Sequence, residues 1–226
     1  MLFELFNSVS LIFIITALLA GVILSVILIK HRIVALLVFV WLSIQAVISL
    51  RGVYSSFPKA IPPTIVLFGI LPMLIAILFM LLSPSGKRLI NTLSLKKLTY
   101  LHIIRIPVEI GLYYLFLEKA IPQSMTFDGQ NFDVIAGITA PFVAYYSDKI
   151  GRKGLLIWNF VCLALLLNIV VTAFLSAPSP FQQLAFDQPN IAILYFPFSW
   201  LPTFIVPVVL FAHLASIRKL LKQAKN

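Results

Sequence analysis

Four polar residues inside an otherwise apolar run carry the first chemical signal. His102, Arg105, Glu109 and Tyr113 recur at spacings of three, four and four, which on a helix places them on one face. Counting about 1.5 Å per residue from Lys97, Arg105 lies roughly 12 Å and Glu109 roughly 18 Å along that helix, near the middle of a bilayer. A lone charge at that depth costs several kcal/mol. The two charges are therefore expected either to neutralise each other within the helix or to line a polar cavity or pathway. Arg placed four residues before Glu is the less favourable order for an intrahelical pair, and His102 and Tyr113 extend the stripe, so the cavity is the expected outcome. A carboxylate there has its protonation set by its neighbours and by desolvation, which makes Glu109 a candidate proton-coupled switch.

Other runs supply partners for such a cavity. Trp41, Gln45 and Ser49 align at i, i+4 and i+8, and Trp158, Asn168 and Thr172 form a second polar stripe. Buried amides such as Gln45 and Asn168 join helices by hydrogen bonds as readily as they meet a ligand. The segment 122–133 is rich in turn formers and acceptors, and Asp128-Gly129 reads as a tight turn. Asn131 and Asp133 follow it, at the start of the next apolar run, where a carboxylate suits the positive end of the helix dipole. Asp128 and Asp133 are weak metal candidates, because a calcium loop needs more carboxylates and a terminal Glu; no metal is expected. Pro197, Pro202 and Pro207 surround Trp200 near the end of the chain, and each proline inside a helix removes a backbone hydrogen bond and favours a kink. His213, further on, is expected to be structural.

The elements that must position these groups are membrane helices. Of the 226 residues, 61% are apolar and 11% charged, and the mean hydropathy is +1.07, whereas a soluble domain has roughly a quarter of its positions charged. Apolar spans run near 9–29, 33–50, 63–83, 98–117, 131–147, 155–175 and 191–214. The expected fold is one all-α transmembrane domain over 1–226, a bundle of seven helices. Its fifth span is the weakest, with only Val134 to Tyr146 uninterrupted.

Charge sets the expected orientation, since loops retained in the cytoplasm collect Lys and Arg. With the N-terminus outside and the C-terminus cytoplasmic, the inner loops hold Lys30, Arg32, Lys87, Arg88, Lys96, Lys97, Lys149, Arg152, Lys153, Arg218, Lys219, Lys222 and Lys225. Only Arg51, Lys59 and Lys119 fall outside, in the company of Glu4, Glu118, Asp128, Asp133 and Asp187. The net charge of +10 is thus read as topology, not as a nucleic-acid surface. Met1 to Phe6, with Glu4, lacks the basic region of a cleaved leader, so the first span is expected to stay. Cys162 is the only cysteine, which leaves no intramolecular disulfide and no cysteine metal site.

Two resemblances follow. The loop Asp148-Lys149-Ile150-Gly151-Arg152-Lys153 resembles one of the major facilitator transporters, but has Ala144 where their leading glycine stands, and is read as convergence. Arg105-Ile106-Pro107-Val108-Glu109, the segment Met125 to Asp133, Leu175-Ser176-Ala177-Pro178 and Trp200-Leu201-Pro202 resemble a group of uncharacterised bacterial multi-pass membrane proteins over roughly 100–220. That resemblance implies a bacterial inner-membrane location and no particular activity. Rhodopsin-like retinal chemistry is not expected, because no lysine falls within a span. The leading expectation is binding of a small solute, ion or proton for transport or sensing. The alternatives are a structural or accessory subunit, with a membrane partner or a second copy and anionic lipid at the basic tail, and a membrane enzyme. An enzyme would have to work with His102, Glu109 and the outer aspartates, since HExxH, GxSxG and P-loop motifs are all missing.

Overall fold

The computed structural model describes residues 8–28, 31–57 and 59–222, and among them every regular element is helical. Glu4 with the rest of the leading segment, Lys30 and Lys225 lie outside the described residues. In chain order the α-helices are α1 (Ser8–Ile27), α2 (Arg32–Leu50), the single turn α3 (Val53–Ser56), α4 (Leu71–Leu82), α5 (Pro84–Thr92), α6 (Leu95–Leu101), α7 (Arg105–Leu117), α8 (Val134–Tyr145), α9 (Ser147–Ser176) and α10 (Val206–Lys222). Two π-helical turns, Val66–Ile70 and Leu201–Ile205, lead directly into α4 and α10, and a 3₁₀ turn, His102–Ile104, joins α6 to α7.

Five helical stretches are long and apolar enough to cross a membrane: α1, α2, Leu95–Leu117, α9 and Leu201–Lys222. A sixth candidate is broken, with Val66–Leu82 meeting α5 at a bend of 83°. The expected fifth span is shorter than 131–147: α8 has 12 residues, about 18 Å of helix against a hydrocarbon core of roughly 30 Å. Within α9, Gly151 takes φ 67° and ψ 178°, so the basic loop expected at 148–153 is a break near the start of that helix. Ile15, Ile33, Phe79, Leu82 and Ile157 stand more than half exposed, as apolar side chains do when lipid solvates them.

The bend before α5 has a local cause. The Ser83 hydroxyl caps α5 by accepting from the Gly86 N–H at 3.0 Å, and a Cβ on Gly86 would lie 2.3 Å from the Met80 carbonyl oxygen. At the other end, the Lys219 ammonium of α10 donates to the carbonyls of Ile90, Asn91 and Leu93 at 3.3, 2.7 and 2.6 Å, closing the carbonyls that a helix end leaves free.

Prolines explain how α2 is held. Pro72 and Pro207 have no N–H, so the carbonyls four residues before them, of Phe68 and Thr203, lose their usual helical donor. Side chains one turn apart on α2 take those places. Gln45 donates to the Phe68 carbonyl at 3.1 Å and Trp41 to that of Thr203 at 2.9 Å. Ser199 donates to Ser49 at 2.9 Å, and Trp200 returns a bond to the Leu42 carbonyl at 3.0 Å. The buried Tyr54 hydroxyl donates to Gln45 Oε1; burial pushes that phenol up to about 12, so it stays a donor. Gln45→Leu strands both a carbonyl and a hydroxyl in an apolar setting, and is expected to cost about 2 kcal/mol. Equilibrium unfolding in mixed micelles measures it; an unchanged midpoint would mean that these bonds contribute nothing.

Candidate functional site

Pro107 shapes the backbone under the charged stripe. It cannot bond the Ile103 carbonyl, and the chain tightens into the 3₁₀ turn His102–Ile104 before α7 resumes at Arg105. This turn places His102, Arg105 and Glu109 in the interior, at 0%, 2% and 2% exposure, where a charge persists only if it is paired.

Arg105 and Glu109 do not pair with each other. Arg105 Nη1 donates to Asp133 Oδ1 at 2.8 Å, a buried ion pair between α7 and the start of α8, and reaches the Cys162 carbonyl of α9 at 3.5 Å. Arg105 Nη2 lies 3.0 Å from His213 Nε2 of α10. A guanidinium has no acceptor, so Nε2 accepts and the proton of this ring sits on Nδ1, which donates to Asn159 Oδ1 at 2.9 Å. The Asn159 amide in turn donates to the Leu155 carbonyl at 2.8 Å. His102 stacks on His213 with centroids 4.0 Å apart and meets Trp158 edge-on at 5.4 Å. Among the described residues neither ring nitrogen of His102 has a hydrogen-bond partner, and nor does Arg105 Nε.

Glu109 is served from the loop between α7 and α8. The Asn131 amide donates to both of its carboxylate oxygens, at 2.8 and 2.7 Å, and approaches the Met125 carbonyl at 3.1 Å. The aim of that amide is set by its own carbonyl, which accepts from the Asp133 N–H at 3.0 Å. The loop folds back through bonds from the Gly129 and Asn131 N–H groups to the Thr126 carbonyl, at 2.9 and 3.2 Å. Lys119, at φ 60°, turns the chain out of α7. Asp133 occupies the N-cap position of α8 without a side-chain cap bond, because its carboxylate is committed to Arg105.

The remaining candidates lie elsewhere. Tyr113 is half-buried and stacks on Phe127 at 4.9 Å, so the stripe ends at Glu109. Exposed Asn168 donates to the Gln130 carbonyl at 3.1 Å, Gln45 belongs to the α2 contacts, and Asp128 is exposed beside Gln123. No group of three or more His, Cys, Asp or Glu suited to a metal occurs among the described residues. His213 and Asn159, which the sequence reading left out of the site, are buried members of it, and Trp158 is brought to it by its ring contact with His102.

Beside this network lies a cavity of about 500 Å³. It is bounded by the stretch Tyr54 to Leu74, by α7, by α9 and by the π turn with α10, and its wall is almost wholly apolar, as at Ile70, Leu166, Val170, Val206 and Leu210. Glu109 and Asp133 are its acidic lining residues. The arrangement is a greasy chamber with two carboxyl groups among its lining, one paired with Arg105 and one held, among the described residues, by the Asn131 amide.

A family model described as a domain of unknown function, DUF8737, matches residues 61–221. The match takes in the whole charged network and leaves out α1 and α2. Neither a curated protein nor a solved structure matches the chain.

Proposed function

The chain belongs to the DUF8737 family, a domain of unknown function, and from the site alone we propose a membrane-embedded binding protein that takes a small solute or ion in an intramembrane cavity, for transport or sensing. The observation that carries this reading is the buried Arg105–Asp133–Asn131–Glu109 network at the edge of a cavity of about 500 Å³. A cavity of that size joined to a few converging polar groups is the usual form of a small-molecule site, and ionisable residues inside a membrane mark binding or conduction more often than packing. We place the chain in a bacterial inner membrane with seven spans, α8 being the short one, the N-terminus outside and the C-terminus cytoplasmic. The distribution of Lys and Arg supports that orientation.

One observation favours a scaffold reading. Arg105, Asp133, His213 and Asn159 together tie α7 to α8, α9 and α10, as a structural subunit needs. A high-resolution structure of the protein in lipid nanodiscs separates the two. Non-protein density in the cavity beside Glu109 is the expected result; a chamber closed by side chains, with Arg105 fully satisfied by protein, would leave the scaffold reading standing.

A further inference from the structure

Charge counting narrows the ligand. Within the network there is one guanidinium, Arg105, for two carboxyl groups, Asp133 and Glu109. The guanidinium faces Asp133 and His213, His213 accepts from it as a neutral ring, and among the described residues Glu109 makes no ion pair; its hydrogen bonds come from Asn131 alone. A carboxylate has acceptor sites for about four hydrogen bonds, and Glu109 lines the cavity with sites unused. A buried anion without a counter-charge is costly, so an occupant that brings a cation to this edge gains what the protein does not supply.

The rest of the wall fixes the other end of the molecule. Of the other residues that line the chamber, Leu166, Val170, Phe174 and Leu210 offer an occupant only apolar contact. The volume lies in the range of roughly 300–1,000 Å³ that encloses a drug-sized ligand, which suits one hydrocarbon chain better than a two-chain phospholipid. A phospholipid would also set its phosphate beside two carboxylates. Resting on the cavity reading above, we infer that the occupant is a single-chain amphiphile with a primary ammonium head on Glu109 and its hydrocarbon tail in the chamber.

The test compares dodecylamine with dodecanol, as ligand retained by the full chain in phosphatidylcholine nanodiscs beyond that retained by empty discs. The amine is expected to bind roughly tenfold or more tightly than the alcohol, since a desolvated charge pair discriminates strongly. Glu109→Gln is expected to abolish that preference and keep alcohol binding. Val170→Trp, which fills the chamber, is expected to weaken both. Equal binding of amine and alcohol would overturn the ammonium assignment and keep the cavity; no retention of either, or retention indifferent to Val170→Trp, would overturn the cavity reading itself. Should Glu109→Gln fail to fold, the two ligands on the unaltered protein and on Val170→Trp decide the matter.

Discussion

Asp133→Ala is expected to lower the stability of the folded protein by about 3–5 kcal/mol, the cost of leaving a buried charge without its partner. Among the described residues the remaining hydrogen-bond partners of Arg105 are the His213 ring and, at a long approach, the Cys162 carbonyl. The double replacement Arg105→Met with Asp133→Leu removes the stranded charge, and is expected to regain about 2 kcal/mol of that loss. It does not regain all of it, because His213 Nε2 then lacks a donor, a deficit of about 1–3 kcal/mol. Denaturant titration of the purified protein in mixed micelles reads the three midpoints. A double variant no better than Asp133→Ala would mean that the ion pair is not what Asp133 contributes.

Gly129→Ala carries the next largest effect, through space alone. A Cβ at this position would sit 2.1 Å from the Gln123 carbonyl oxygen and 2.9 Å from the Ser124 Cα, both backbone atoms of a turn that has no flexible side chain to yield. The turn must open, and the buried Asn131 and Asp133 follow closely along it, so Glu109 loses the hydrogen bonds of Asn131 and Arg105 its counter-ion in one step. The expected cost is roughly 3 kcal/mol, at the upper end for overpacking, with faster hydrogen exchange at the Asn131 amide, which now bonds the Thr126 carbonyl. Exposed Gln130 in the same loop gives the control: Gln130→Ala is expected within about 0.5 kcal/mol of the parent. Equal midpoints for the two variants would show that the turn tolerates a methyl group there.

Much of the architecture was legible because lipid imposes it. Long apolar runs bounded by charge gave α1, α2 and the Leu95–Leu117 stretch close to their observed limits, and the C-terminal limit of α9, since a helix that must bond its own backbone in hydrocarbon leaves a continuous signature. The α8 segment was marked as weak because its apolar run is short, and the helix is confined to that run: Asn131 to Asp133, expected in its first turns, precede it, and Asn131 and Asp133 are buried. Spacing along one strand of sequence also brought out His102, Arg105 and Glu109 as a face. It did not reveal what the other helices bring to that face. Arg105 meets a carboxylate 28 residues away and an imidazole 108 residues away, distances at which periodicity is silent. His213 had one usable signal, that of an ionisable ring deep in the last apolar run, where it lies at 0% exposure between Arg105 and Asn159. Tyr113 shows the opposite error, since matching a period says nothing about where the polar neighbours end.

α2 supplies none of the side chains that line the cavity, yet its amide and indole hold the Phe68 and Thr203 carbonyls, each within a π turn bordering it. Residues 41 and 45 are one turn apart, about 6 Å along the axis, so these two bonds act as a ruler clamped across neighbouring walls. The girth admitted between those walls is set from outside the chamber. A molecule too broad for that gauge has to part buried hydrogen bonds before it gains any contact of its own.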